Sequence, residues 1–333
     1  MLTAASVVDN GQRHWGRFLR TPSNANPAAA FPGLKGAFES FRTKEWVGFT
    51  ITHREFFSSM IVQDAKYLLS SEWYLSDIAS QSLAQHAANL LAGSVRLPAD
   101  ILHSQVNFAA KGYHIHYGFS EQQVVITIDL AQTKTAPAVH GKILLDAAKA
   151  APPLVVSTRL PKGSMYTNKI IFPASGAISV GNRASVFDPS QDFAILDEHK
   201  SHLPYRTTWT WGTFALPVEG GYAGANFAIR PALPGQEEES CIWTPDAAEP
   251  LANVHFTQLR DDPRSDWSIE STDGRLDVLF SPLGHKGVDQ QLVLAEIHYL
   301  QMYGQYSGIL RGENGTWEFK EVHGVCEKMD MRA

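Results

Sequence analysis

Short β-type runs, separated by turn residues and recurring roughly every ten residues, limit what this chain can fold into more than any other feature. The stretch WVGFTITHREFFSSMIVQDAKYLLSSEWYL (46–75) reads as two or three strands, and KGYHIHYGFSEQQVVITIDL (111–130) as a hairpin turning at GFSEQQ. IIFPASGAISV reads as two short strands around a Pro/Gly/Ser turn. Asp273–Gly274 and Asn314–Gly315 are strong hairpin signals in the last third. Regularly spaced short strands of this kind build barrels and sandwiches, so the expected class is all-β and antiparallel.

Three segments interrupt the pattern. SDIASQSLAQHAANLLAG carries Ala and Leu at roughly helical spacing, so 76–97 is expected to be a helical or loop insert. AAKAAPPLVVS (147–157) reads as a connection. NRASVFDPSQDFAILDEHKSHLPYR (182–206) is polar and turn-rich, which sets the expected domain boundary there, with domains 1–190 and 191–333.

Composition removes several function classes. A net charge of −6, with no basic block, argues against nucleic acid as a partner. Two cysteines, Cys241 and Cys326, form no metal-binding spacing and no disulfide framework. No secretory signal or membrane-spanning apolar run is evident. The expectation is a cytoplasmic protein without an integral membrane segment. Peripheral contact with lipid stays open, and the oligomeric state is not legible.

YRTTWTWGTFAL (205–216) concentrates the aromatics. On a strand Trp209 and Trp211 share a face, while Phe214 and Leu216 lie on the other, so the apolar phase changes at Gly212 and a bulge or bend is expected there. Such rings fill a core or wall a ligand site, and the spacing alone does not choose. The same holds for Trp46, Trp73, Trp243 and Trp267. His114 and His116 share a strand face and give two metal ligands at most; no third is evident, and no metal is expected. Asn226, flanked by glycine in GANF, orients a ligand or caps a turn. His298 is a candidate acid/base, with Gln301 and Tyr303 on the opposite strand face. There is no G-x-S-x-G elbow.

Several motifs together resemble the domain of unknown function 2804 family. FRTKEWVGFTITHREFFSSMIVQDAKYLLSSEWYL resembles its opening Trp strand and D-x-x-Y strand. AILDEHKSHLPYRTTWTWGTFAL matches its Asp, basic, W-x-W order. GGYAGANFAI and EEESCIW resemble its G-x-N and acidic–Cys–aromatic segments, and HYLQMYGQYSGIL with GVCE its Q-x-x-G-x-x-x-G run and final G-x-x-E. The departures are the insert after Leu75 and an ending of Glu327, Lys328 and Met329 where an aromatic is expected. The resemblance implies two lipocalin-like β-barrel domains packed together, a layout similar to carotenoid hydratases, tocopherol cyclases and fungal Diels–Alderases, which take apolar substrates and need no redox cofactor.

On that resemblance the leading expectation is binding of an apolar small molecule (isoprenoid, lipid or polyketide-like), with cofactor-independent hydration, cyclisation or isomerisation if the protein is an enzyme. Such chemistry needs a carboxylic acid held neutral in an apolar wall. Asp64 and Glu239 are the candidate acids, and Asp197 is expected to tie down its segment through a basic partner. Trp209, Trp211, Trp243 and Trp46 would shape the site, and Asn226 and Tyr303 would orient a polar group. The alternatives are a non-catalytic lipid carrier and a carbohydrate-active β-protein.

Overall fold

The computed structural model describes residues 1–332 except Pro263 and 292–295. The chain divides into two compact units, one of Met1–Ser157 with Ser164–His202, the other of Thr158–Gly163 with Leu203–Ala333. Each is built on a large curled antiparallel sheet, a near-barrel in the first and a half-barrel in the second, with few short helices.

The strands that lie largely in the first unit are β1 (Val8–Asp9), β2 (Gln12–Arg13), β3 (Gly16–Arg17), β4 (Lys44–His53), β5 (Phe56–Asp64), β6 (Leu68–Asp77), β7 (Leu83–Leu91), β8 (Gln105–Ala110), β9 (Tyr113–Phe119), β10 (Gln123–Leu130), β11 (Val139–Asp146), β12 (Leu154–Leu160), β13 (Gly163–Val180), β14 (Arg183–Phe187) and β15 (Phe193–His202). One helix, α1 (Gly33–Arg42), precedes β4. Among the described residues the main sheet runs β7-β6-β5-β4-β15-β13-β11-β10-β9-β8, with β12, β14 and β3 attached to it. The second unit has β16 (Arg206–Val218), β17 (Gly221–Ile229), β18 (Cys241–Trp243), β19 (Ala248–Pro250), β20 (Val254–Gln258), β21 (Trp267–Ser271), β22 (Leu276–Gln291), β23 (Glu296–Arg311) and β24 (Thr316–Arg332). Its order is β19-β18-β17-β16-β24-β23-β22-β21-β20.

Two-residue alternation of buried and outward side chains marks several of these strands. In β9, Tyr113, Ile115, Tyr117 and Phe119 are buried while His114 and His116 point outward. The inward set joins Phe49, Phe108, Ile126 and Trp73 in the first core; each such side chain contributes roughly 1.5–3 kcal/mol on burial. The second core holds Phe214, Phe227, Trp267, Phe280 and Tyr306. Its sheet curls until Phe227 of β17 meets Phe256 of β20, ring centroids 5.7 Å apart.

Several expectations change. Residues 76–97 are neither helix nor loop insert through Leu83–Leu91, which form β7, paired along its length with β6. Ala84, Ala88 and Leu90 pack on the core, while Gln85, Ala87, Asn89 and Leu91 point outward; pairing and burial override the helical preference of Ala and Leu. IIFPASGAISV holds no turn. It lies within the continuous β13, and Pro173 sits where that strand passes from β15 to β11: Pro173 is opposite Phe193, Ala174 opposite Leu145. A residue without an N–H suits a place where the ladder changes partner. The connection expected at 147–157 contains the start of β12. The expected boundary after residue 190 falls just before β15, which pairs with β13 and β4 of the first unit. No bulge occurs at Gly212 either, because the register of β16 with β17 and β24 runs unbroken. Both faces of β16 are buried from Trp211 to Ala215, so apolar residues occupy successive positions. Gly212 is required for another reason: a Cβ there would enter the Phe227 ring and the Tyr306 hydroxyl.

Candidate functional site

In the second unit, Trp209, Trp211 and Thr213 project from the β16 face opposite Phe214, whose ring stacks on Tyr306 at 4.5 Å within the core. Trp211 Nε1 donates to Asn226 Oδ1 at 2.8 Å. The Asn226 amide donates to the Glu239 carbonyl at 2.9 Å and to its carboxylate at 3.4 Å. Arg230 then forks onto Glu239 and Glu238. Burial alone would lower the Arg230 pKa, but the two carboxylates raise it above its ordinary value. A guanidinium locked against Glu239 favours the ionised carboxylate, so this residue is not the neutral acid expected from its neighbour Trp243. Asn226 spends its amide bridging Trp211 to Glu239.

One register position away, three donors converge on Glu327. Trp209 Nε1 donates to one carboxylate oxygen at 2.8 Å; Tyr299 Oη at 2.9 Å and Gln301 Nε2 at 3.0 Å donate to the other. The antiparallel register sets Trp211 and Gln301 on either side of Glu327, and Trp209 and Tyr299 on either side of Met329. All three donors are neutral, so hydrogen bonds rather than an ion pair hold this buried carboxylate. Tyr303 and Trp243 are buried near the same face, the Tyr303 ring lying over Gly284.

The first unit carries a different arrangement on the outward face of β4, β15 and β13, where Trp46, His199 and Thr167 stand in register. The Trp46 and His199 rings stack with centroids 4.3 Å apart. His199 Nε2 lies 2.8 Å from Thr167 Oγ1 and 3.2 Å from Asp197 Oδ1. Lys169 Nζ donates to the same Asp197 oxygen at 2.7 Å. Burial pushes the Asp197 carboxyl up, but Lys169 and His199 beside it hold it below the usual carboxylate range. Asp197 thus has a basic partner on β13. His199 is buried, whereas Trp46 and Asp197 are only partly so.

The inward face of the same strands turns polar at one end. Glu198 is fully buried, accepts from Asn168 Nδ2 at 3.0 Å, and leaves its other oxygen unbonded 3.9 Å from Lys200 Nζ. Burial, partly offset by Lys200, holds its carboxyl above the usual range. Asp64 belongs to this end but is bound to Lys66, which donates from its backbone N–H and its ammonium, each at 2.7 Å, and also reaches Glu45. Asp64, expected as an acid, is thus committed to Lys66, and the carboxyl at this end whose pKa burial raises is Glu198.

The remaining candidates lie apart. His298 is exposed and paired with Asp289 and Glu296 at 2.9 Å each, so it does not join Tyr303. His114 and His116 are tied to Asn107 and Gln105. Among the described residues no group of three His, Cys, Asp or Glu is placed to hold a metal, and no helix is long and apolar enough to cross a membrane. A half-open pocket of about 250 Å³ lies near the β6–β7 hairpin, with an apolar floor of Phe56, Leu75 and Ile178 and a rim including Asp77, Arg183 and Ser185.

The family model for a domain of unknown function, DUF2804, matches residues 28–332. The chain belongs to the DUF2804 family. No curated protein matches it. Among solved structures, kievitone hydratase from Nectria haematococca is similar at 12% identity and a TM-score of 0.52, over 95% of this chain and 98% of that one. CghA is similar at 9% identity and a TM-score of 0.53, over 87% of this chain and 88% of that one. At such identities the likeness is one of fold.

In this DUF2804 chain the motifs of the resemblance meet in space. Gln301, which opens the Q-x-x-G-x-x-x-G run, donates to Glu327, which closes the G-x-x-E, and Trp209 of the W-x-W completes the set. Sequence reasoning did not single out Glu327 or His199. The Asp-x-His spacing of Asp197 and His199 was the available signal, hidden in a segment too polar to read as a central strand.

Proposed function

We propose that this DUF2804 protein binds an apolar small molecule and transforms it by moving protons, in a hydration, cyclisation or isomerisation. The observation that carries the reading is His199, stacked on Trp46 and within hydrogen-bond reach of Thr167 and Asp197. A histidine oriented by a carboxylate beside an aromatic surface is the arrangement general acid–base catalysis uses to pass a proton to or from a ligand. Kievitone hydratase, named for a hydration, has a similar fold, which is in keeping with this chemistry. Native mass spectrometry of the purified protein, followed by extraction, is expected to recover a bound isoprenoid, lipid or polyketide-like molecule. His199→Ala should then slow its turnover about 10²–10⁴-fold. Recovery of a sugar, or full turnover by the variant, overturns the reading. The pocket floored by Phe56, Leu75 and Ile178 favours a second reading, a carrier; it predicts capture of the same ligand with no turnover by the wild type.

A further inference from the structure

Helix α1 is amphipathic in the reverse of the usual sense. Surface helices ordinarily turn their apolar stripe inward. Here Gly36, Glu39 and Thr43, at i, i+3 and i+7, form the docked stripe. The Glu39 carbonyl lies 3.0 Å and the Thr43 hydroxyl 2.8 Å from the ring nitrogen of His202. Gly36 sits so close to the Phe31 carbonyl that a Cβ would collide with it. On the opposite side Leu34, Phe38 and Phe41, also spaced i, i+4 and i+7, are 92%, 60% and 56% exposed. No residue of the helix is buried.

Cations border this apolar stripe. Arg42 lies over the Phe38 ring at 5.9 Å and Lys35 over Phe31 at 4.8 Å. Lys44, just past the helix, lies over the exposed Tyr67 at 4.6 Å, which brings a fourth large apolar group beside the helix end. The acid on the helix, Glu39, turns inward and pairs with Arg42. Exposed Leu and Phe with a basic margin on a short helix match an interfacial helix, whose apolar face enters the acyl boundary while cations meet anionic headgroups.

We propose that α1 is a membrane-docking element that seats the protein on an anionic lipid surface. The inference is independent of the reaction proposed above. Charge complementarity selects this occupant: an apolar stripe alone would suit many partners, whereas the basic border suits a negatively charged bilayer.

The test is co-sedimentation with extruded vesicles of phosphatidylcholine alone, or with about 30 mol% phosphatidylserine. The wild type should pellet with the anionic vesicles, about tenfold more than with the zwitterionic ones. Leu34→Ser/Phe38→Ser/Phe41→Ser should abolish pelleting while keeping the wild-type circular dichroism and melting temperature, since these side chains are outside the core. Lys35→Glu/Arg42→Glu should remove the preference for anionic lipid. Failure of the wild type to pellet, or equal pelleting by the serine variant, overturns the proposal. A wild-type dimer in solution that the serine variant loses, without vesicle binding, also overturns it and assigns the stripe to a second copy.

Discussion

The Trp46–His199–Asp197 cluster and the Trp211–Asn226–Glu239–Arg230 cluster use the same parts to opposite ends. Each brings together an indole and a carboxylate from different segments, Trp46 of β4 with Asp197 of β15 and Trp211 of β16 with Glu239 just before β18. Around Glu239 the partner is a guanidinium, which does not give up its proton at any pH the fold survives. Around Asp197 the partners are the Lys169 ammonium and the His199 imidazole, and imidazole is the side chain general acid–base chemistry uses most often. The first arrangement is an electrostatic lock, and the second is where we propose the acid–base chemistry. An acid residue beside a tryptophan is therefore uninformative until its cation is known.

The contrast is open to direct attack, and the largest effect is expected at the lock. Arg230→Ala leaves the buried Glu239 and the partly buried Glu238 without their shared cation and should cost about 3–5 kcal/mol in urea unfolding; adding Glu239→Gln to that background should recover part of the loss. A loss under about 1 kcal/mol would show that the pair is solvated rather than buried. Glu327→Gln should cost less, about 1–3 kcal/mol, because neutral donors retain one amide acceptor. Trp211→Phe keeps the ring and removes the bond to Asn226, for about 1 kcal/mol, and should leave turnover intact.

The smallest effects lie in pH dependence, where neighbours on β15 act in opposite directions. Asp197 is held below the usual carboxylate range by Lys169 and His199 against the effect of burial. Its stabilisation is present above its unfolded value, about 4, and is lost as pH falls through the folded one. Glu198 is held above the usual range by burial. Its contribution is present below its unfolded value, about 4.3, and is lost as pH rises through the folded one. Asp197→Asn should therefore flatten the acid limb of a stability–pH profile, and Glu198→Gln the descent above it. Profiles that coincide with the wild type would remove the proposed asymmetry.

How much of this was legible in the sequence differs between the same two regions. Alternation gave the strands of β4–β6, β9 and β10, where one face meets the core and the other points outward. It failed at β15, whose Asp197, Glu198, His199 and Lys200 look like a solvated loop yet find partners on the flanking strands, Lys169, Asn168 and Thr167 on β13 and Glu45 on β4. Charge that is neutralised by residues distant in sequence carries no local signature. It also misled at β16, where burial of both faces imitates a change of phase. Pairing cost the site prediction in the same way: Asp64 and Glu239 stand in suitably apolar runs, but Lys66 and Arg230, which commit them, are recognised only once the strands are folded. Glu327 was visible as the end of a motif, while its convergence with Trp209, Tyr299 and Gln301 is a property of the register.

The central claim is that His199, and not Glu239, moves the proton. Incubating the protein with its extracted ligand in deuterium oxide, and reading carbon-bound deuterium by mass spectrometry, addresses it most directly. Incorporation by the wild type and by Glu239→Gln, with loss in His199→Ala, is the predicted result; incorporation that survives His199→Ala and disappears in Glu239→Gln would contradict it.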